Sequence, residues 1–477
     1  MDKTKIKNFF DNWAETRDIW LKKNRYYHKN LLNLFSFNIP ENSTILEIGC
    51  STGELLNNLK PSNGAGIDIS SKSIELAKNK YPHLNFITDD IEVLRLNERF
   101  DYIIMQDLLG NLTDLWQAFR NFKKLTKPET RIVISYYNYL WEPLILLAEF
   151  LGLKNKQLHQ NWLSMHDIEN LLYLNDYEVI KKGYRFLMPF YIPLISDLIN
   201  RCAANIPLIK NFCMIQFIVA KEISSSVPPS VPPNRELSVS IIIPARNEKG
   251  NIEELIKRIP DLGKHTEIIF VDGNSNDETP DTINGMIKKY PQKDIKLILQ
   301  GGAFGKADAV RKGFDIAKGD ILMILDADIT VMPEDLSKFY LAITEGKGEF
   351  INGSRLVYPM EREAMRTLNI LGNKFFSMIF TWTLEQRIKD TLCGTKVLLR
   401  ENYLKIKKGR KYFGDFDPFG DFDLLFGASK LNLKIVEMPV SYKERKYGIT
   451  KISRFKHGLL LFKMAFTAFK KFKMNLC

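Results

Sequence analysis

Short β-branched runs alternate with helical stretches along this chain, and the alternation starts twice. STILEIG, GAGIDI, LNFI, FDYIIM and RIVISYY succeed one another in the first half, and SVSIIIP, EIIFVD, IKLIL and DILMILDAD in the second. Strands spaced by helices of this length pair as parallel neighbours through right-handed crossovers, so each half is predicted to be an α/β, doubly wound sheet. Between the halves lies Ser224 to Glu236, SSSVPPSVPPNRE. Its paired prolines and serines disfavour helix and sheet and favour an extended spacer. The organisation expected is a first domain over 1–223, a Pro/Ser-rich linker over 224–236 and a second domain over 237–477. A surface loop inside one domain is the competing reading, disfavoured because both flanks restart the same pattern.

The chain has 477 residues, of which 45% are hydrophobic and 26% charged, a composition suited to two packed cores. Cys50, Cys202, Cys213, Cys393 and Cys477 lie far apart with no CxxC pair, so neither a disulfide framework nor a zinc site is expected. That usage suits a reducing compartment. MDKTKIKNFFDNW at the start carries no apolar signal region, and no apolar run reaches the length of a spanning helix. A cytoplasmic protein is expected. The formal charge of +12 allows nucleic acid or an anionic membrane as partner. The excess gathers at the end: from Lys443 onward ten Lys or Arg stand against the single acid Glu444.

Ligands of doubly wound sheets bind at the carboxyl ends of the strands, so the residues just beyond each strand carry the chemistry. The first strand runs into Glu47-Ile-Gly49-Cys-Ser51-Thr-Gly53 and then a helix over 54–59. Small residues there let backbone amides approach a ligand, and the helix start adds donors and a positive dipole end. The second strand ends at Asp68, placed to accept both hydroxyls of a ribose, and the third is followed by Asp89-Asp90, where a carboxylate can take an adenine amino group. A nicotinamide dehydrogenase is the weaker alternative, because the GxGxxG spacing is absent. Over about residues 40–140 the sequence resembles the class I S-adenosylmethionine-dependent methyltransferases, a Rossmann-like family, with ILEIGCSTG as first motif and FDYIIMQDLLGNL as fourth. The resemblance implies S-adenosyl-L-methionine as cofactor. It implies Glu47, Gly49, Ser51 and Gly53 around the methionine part, Asp68 at the ribose, Asp90 and Ile91 at the adenine, and Gln106 beside the cofactor. Ser51 stands where the family often has glycine, which is compatible if its φ stays negative. His159 and His166 are candidate bases toward a methyl acceptor that the sequence does not name.

In the second half, Pro244-Ala-Arg-Asn-Glu248 follows one strand, Asp272 ends the next, Gly301-Gly-Ala-Phe-Gly-Lys306 opens a helix, and ILMIL runs into Asp326-Ala-Asp328. Two carboxylates at the mouth of a continuous apolar strand are costly unless a cation or ligand uses them. Displacing a nucleoside diphosphate from a sugar concentrates negative charge, which hard Mg²⁺ or Mn²⁺ neutralises. Together these motifs resemble the inverting family-2 glycosyltransferases of GT-A fold, in their dolichyl-phosphate-mannose-synthase-like branch, over about residues 238–455. The resemblance implies a nucleotide-sugar donor held by Pro244, Glu248, Asp272, Lys306 and Asp326, with Asp328 on the metal. It implies Asp423 as an acidic acceptor-side residue and Arg445 and Lys451, in RKYGITK, on phosphates. Asp390 with Cys393-Gly394-Thr395 resembles the acceptor loop but departs from its usual residues. A polyprenyl phosphate or a glycan hydroxyl is the implied acceptor; Asp423 serves as general base only for the hydroxyl.

Beyond Arg445, Phe455, Leu459, Phe462, Phe466 and Phe469 recur at helical spacing beside Lys456, Lys463 and Lys470. A basic, aromatic amphipathic helix of this kind can dock peripherally on the inner face of an anionic membrane; a helix packed on its own domain shows the same stripe. Two other function classes remain: an RNA or protein methyltransferase with a nucleotide-sugar-binding regulatory domain, and a basic nucleic-acid modifier. No nucleic-acid partner is expected, since no RNA-binding module is recognisable and the basic cluster lies far from the methyltransferase motifs.

Overall fold

The computed structural model describes residues 3–158, 161–223, 237–302, 305–355, 367–412, 422–445, 447 and 454–474. The chain divides into two compact units, Met1–Ser224 with Phe472–Cys477, and Ser225–Lys471. The expected linker, 224–236, lies outside the described residues.

The first unit is an α/β sheet of seven strands: β1 (Thr44–Ile48), β2 (Asn63–Asp68), β3 (Asn85–Thr88), β4 (Phe100–Gln106), β5 (Thr126–Tyr137), β6 (Tyr177–Arg185) and β7 (Ile215–Glu222). Their order is β3-β2-β1-β4-β5-β7-β6. β1 to β5 are parallel, and β7 runs antiparallel to β5 and β6. Ile45, Leu46, Ile103 and Ile104 are fully buried because helices cover both faces, which is why these strands read as unbroken apolar runs. The strand order reverses at β1 and β4, and the crevice at their carboxyl ends is the switch point where a ligand fits. The turn after β1 needs left-handed backbone: Gly49 has φ 74° and Gly53 φ 79°. A Cβ on Gly53 would come within 2.5 Å of the Phe86 ring. Ser51, compatible in expectation with a negative φ, instead takes φ 48°, and its N–H donates to the Asp68 carboxylate at 2.9 Å, which ties the turn to β2.

The second unit is also α/β with seven strands: β8 (Val239–Ala245), β9 (Thr266–Asp272), β10 (Asp294–Leu299), β11 (Ile321–Ile324), β12 (Phe350–Ser354), β13 (Lys396–Leu399) and β14 (Ile435–Pro439). Their order is β10-β9-β8-β11-β13-β12-β14. β8 to β11 are parallel, β13 is antiparallel to both β11 and β12, and β12 pairs with β14 in parallel. Every residue of β11 is buried, and the strand delivers Asp326 and Asp328 to its carboxyl end.

The helix Arg454–Phe469 packs along the helix Thr367–Leu384. The aromatic stripe read from its spacing is not the face it buries. Leu461, Met464, Ala465 and Ala468 are buried, while Leu459, Phe462 and Phe466 stay 72%, 53% and 65% exposed. Small side chains at 465 and 468 let the helix lie close, so the bulky positions turn outward; Phe462 still meets the Phe376 ring edge-on at 5.0 Å. The side chains of Phe455 and Lys456 lie outside the described residues. Among the described residues no helix is long and apolar enough to cross a membrane.

Candidate functional site

A cavity of about 740 Å³ opens at the carboxyl ends of β1, β2 and β4. Gly49, Ser51, Asp68, Asp90, Ile91 and Gln106 all line it. Glu47 and Gly53 do not. Glu47 is buried behind the turn, where its carboxylate accepts the N–H of Leu56 at 3.1 Å. Burial pushes its carboxyl up to about 8, against the pull of that hydrogen bond and of Arg17. Asp68 uses one oxygen for Ser51 and the other for the N–H of Ser70 at 2.8 Å, so its carboxylate is fixed in orientation at the end of β2. Burial raises its carboxyl, with those two hydrogen bonds acting against it. Asp90 accepts the N–H of Glu92 at 2.9 Å and pairs with Lys3, which draws the N-terminal helix over that end of the cavity.

Motif reading missed the other wall. Helices Lys3–Ala14, Arg17–Lys23 and Arg25–Asn38 close the cavity with Trp13, Arg17, Trp20, Tyr27 and His28. The Nε of Arg17 and the Nε1 of Trp13 are buried with no hydrogen-bond partner, the signature of donors that await a ligand acceptor. A guanidinium lining the cavity suits the carboxylate of an amino-acid moiety. His28 is pushed down to about 3 by burial and by the Arg17 charge, so it is neutral and cannot supply a second cation. Asp107, immediately beyond β4, has φ 53° and faces the cavity. Its carboxylate accepts from Tyr27 Oη at 2.7 Å and Ser135 Oγ at 3.3 Å. Burial lifts its carboxyl to about 6, with both hydrogen bonds acting against the rise. A carboxyl poised there can take a proton near neutral pH. Of the candidate histidines, His166 is exposed on the helix Met165–Leu174, and His159 lies outside the described residues.

In the second unit two ion pairs stand at the end of β11. Lys306 Nζ lies 2.6 Å from Asp326, and Arg445 donates to Asp328 at 2.5 Å. The other Asp328 oxygen accepts Thr330 Oγ1 at 2.8 Å. Glu248 joins this group, 3.7 Å from Arg445, while its N–H donates to Thr279 Oγ1 at 3.0 Å. Asp272 ends β9 beside the partly exposed Pro244, its carboxylate accepting the N–H of Ser275 at 3.1 Å. Burial alone would raise the Asp326 carboxyl; Lys306, Lys396 and Arg355 outweigh it and hold the group below its ordinary value. Gly394 lies against this pair, so close that a Cβ there would fall 2.1 Å from Asp326. The loop is held in place by Asp390, fully buried, which accepts Arg355 Nε at 2.7 Å and Nη2 at 2.9 Å, Asn373 at 2.8 Å and the N–H of Cys393 at 3.1 Å.

Asp423 is engaged elsewhere. At the start of the helix Phe422–Lys430 its Oδ2 accepts Arg311 Nη2 at 3.0 Å and Arg410 Nε at 3.0 Å. A carboxylate shared by two guanidiniums is built to hold them together more than to take a proton. Lys451 lies outside the described residues. Asp328 offers one carboxylate to a divalent ion, and one carboxylate with substrate phosphate oxygens is a donor set that Mg²⁺ takes. Among the described residues no group of three or more His, Cys, Asp or Glu could hold a metal ion without such a substrate.

Comparison with known proteins matches each unit separately. Residues 20–182 fit a methyltransferase domain family and residues 240–405 the glycosyl transferase family 2. A dolichol-phosphate mannosyltransferase of Pyrococcus furiosus is 39% identical over 223 residues, 45% of this chain and 59% of that protein. The chain thus spans under two thirds of that relative's length. A dolichyl-phosphate beta-glucosyltransferase of Dictyostelium discoideum is 30% identical over 236 residues, 44% of this chain and 68% of that protein. A solved magnesium protoporphyrin IX methyltransferase of Synechocystis with bound SAH aligns with 46% of this chain and 100% of its own at 18% identity and a TM-score of 0.34. Through its second unit the chain belongs to glycosyl transferase family 2, and residues 20–182, ahead of it, match a methyltransferase domain family.

Proposed function

We propose that the second unit transfers one sugar, with inversion, from a nucleotide-sugar donor to a polyprenyl phosphate, and that the first unit methylates a small molecule or glycan. The observation that carries the glycosyl-transfer reading is the pairing of Lys306 with Asp326 and of Arg445 with Asp328 at one strand end. Pro244, Glu248 and Asp272 serve the nucleobase, and Asp326 the ribose. Asp328, together with the donor's diphosphate, would hold Mg²⁺ or Mn²⁺, which when bound neutralises charge on the leaving group. Arg445 and Lys451 add cationic donors to the same phosphates, Arg445 with the fork that matches phosphate geometry. A lipid phosphate attacks as an anion and needs no base, which agrees with Asp423 being committed to Arg311 and Arg410. The names of both glycosyltransferase relatives, each a transferase for dolichol phosphate, support the same acceptor class.

In the first unit Asp68 serves the ribose and Asp90 and Ile91 the adenine of S-adenosylmethionine, with Gly49 and Ser51 at the methionine part and Gln106 beside it. The cofactor, when bound, supplies an electrophilic methyl group. Asp107 takes the proton that an acceptor hydroxyl gives up, and Tyr27 and Ser135 keep its carboxylate aimed. Because Asp107 is effective only when ionised, kcat/KM for methyl transfer should fall as pH drops through about 6. Asp107→Asn should cost about 10²–10⁴-fold in rate and remove that limb while leaving calorimetric binding of S-adenosylhomocysteine intact. Full activity of Asp107→Asn would refute the assignment, and loss of binding would make Asp107 a cofactor ligand instead.

The exposed Leu459, Phe462 and Phe466, with the exposed Lys463 beside them, support peripheral docking of the second unit on an anionic membrane. That setting keeps the phosphate-binding Arg445 near a lipid-borne acceptor.

A further inference from the structure

The helix Glu142–Phe150, EPLILLAEF, is apolar nearly all round, yet Ile145 is its one buried residue. Leu144, Leu147 and Phe150 are 54%, 52% and 83% exposed. A helix of this composition belongs inside a core or against a lipid phase. The segment 190–198 repeats the anomaly: Phe190, Tyr191, Leu194 and Leu198 are 59%, 56%, 85% and 64% exposed. The two stretches meet at one cavity, which Leu144, Ile145 and Ala148 from the helix and Pro189 and Phe190 from the segment line together. Soluble monomers seldom leave a contiguous apolar patch of this extent uncovered.

The charge beside the patch says what covers it. Lys23, Arg25 and Lys29 share a second concavity with Phe190 and Tyr191, and the Tyr26 and Tyr191 rings meet at 5.3 Å. Lys22, Lys23, Arg25 and Lys29 are all exposed, as are Lys156 and Arg201. Of the acids nearby, Glu149 pairs with Lys154 at 2.9 Å and Asp197 accepts Tyr26 Oη at 3.0 Å, while Glu142, at the start of the helix, is partly exposed. Apolar side chains ringed by exposed cations match an anionic bilayer, whose headgroups attract basic residues near its surface. Pairing this face with its own copy would set like charges against each other.

We propose that this rim seats the methyltransferase unit on an anionic lipid bilayer, so that its methyl acceptor is a hydroxyl carried by a membrane lipid. The proposal rests on the methyltransferase reading of the cavity and narrows its acceptor. The lipid's polar end enters toward Asp107 while its chains stay along the rim. The methyl carbon leaves the cofactor sulfur and bonds to the acceptor oxygen, S-adenosylhomocysteine departs, and the hydroxyl proton passes to Asp107.

Flotation of the full chain with phosphatidylglycerol vesicles and with phosphatidylcholine vesicles tests it. Phe462→Ser with Phe466→Ser provides a background in which the other docking helix is blunted. That background should still float with phosphatidylglycerol, and less with phosphatidylcholine. Adding Phe150→Ser and Leu194→Ser, neither of which lines the cavity, should lower its partition at least about tenfold. S-adenosylhomocysteine binding by calorimetry should stay equal in all variants. The proposal is overturned if the background fails to float, if the added substitutions leave its partition unchanged, or if light scattering shows a rim-dependent dimer that ignores vesicles. Absence of S-adenosylhomocysteine binding in the wild type would instead sink the methyltransferase reading itself.

Discussion

Asp328→Ala should lower donor turnover, read as nucleoside diphosphate release, by about 10³-fold or more. Asp328 is the carboxylate at the end of β11 that can share a divalent ion with the donor diphosphate, and in the free protein its charge is met by Arg445 at 2.5 Å. Removing it takes away the ion's protein ligand and the nearer of the carboxylates that pair with Arg445, Glu248 lying at 3.7 Å. Arg445→Ala should also slow turnover, but excess metal should restore Arg445→Ala no better than wild type, since its defect lies in phosphate contact. Chelator should reproduce the Asp328→Ala defect in the wild type. Undiminished turnover of Asp328→Ala, or of wild type in chelator, would refute the metal assignment.

The second large effect falls on stability. Asp390→Asn should cost about 3–5 kcal/mol, because it leaves the Arg355 guanidinium buried with its countercharge gone. The Arg355 charge and the surrounding hydrogen bonds outweigh burial and hold the Asp390 carboxyl well below the usual carboxylate range. The sign follows from that depression. The contribution is complete above the unfolded carboxylate value, about 4, and is lost as pH falls toward the folded one. Thermal unfolding should therefore show the transition of the second unit moving down in Asp390→Asn, and in wild type below about pH 4, while the first unit's transition stays put in the variant. A variant transition within 1 °C of wild type would contradict the role given to this pair. Loss of the pair should also release Gly394 from Asp326, so that turnover falls even where the variant remains folded.

The frame of both units was legible because parallel strands buried on two faces read as continuous apolar runs: TILEI, YIIM, VSIII and ILMIL announce themselves, and ILMIL runs directly into Asp326. Some of the strands that sequence reading passed over are of another kind. β6, YEVIKKGYR, carries lysines along a sheet edge, and β12, FINGS, is short and ends in a glycine and a serine. Their strand state comes from neighbours β7, β13 and β14, which local pattern does not encode. The candidate sites divide the same way. Gly49, Asp68, Asp326 and Asp328 sit directly after strong strands and could be read. Asp107 could not, since its burial depends on Tyr27, 80 residues away in sequence. The commitment of Asp423 to Arg311 and Arg410 likewise reflects contacts 112 and 13 residues apart. The stripe on the last helix left two readings open because an apolar period shows that a face exists without saying whether bulky or small residues will meet the core; here Ala465 and Ala468 do.

We propose that one chain joins sugar transfer onto a lipid phosphate with methyl transfer. The most direct test is release of nucleoside diphosphate from a panel of nucleotide sugars by the full chain with Mg²⁺ or Mn²⁺, with and without polyprenyl phosphate. The prediction is that one donor is consumed only when polyprenyl phosphate is present, with one nucleoside diphosphate released per sugar-linked lipid formed. Release that is equal without the lipid, or absent with every donor while the nucleotides still bind, would contradict it.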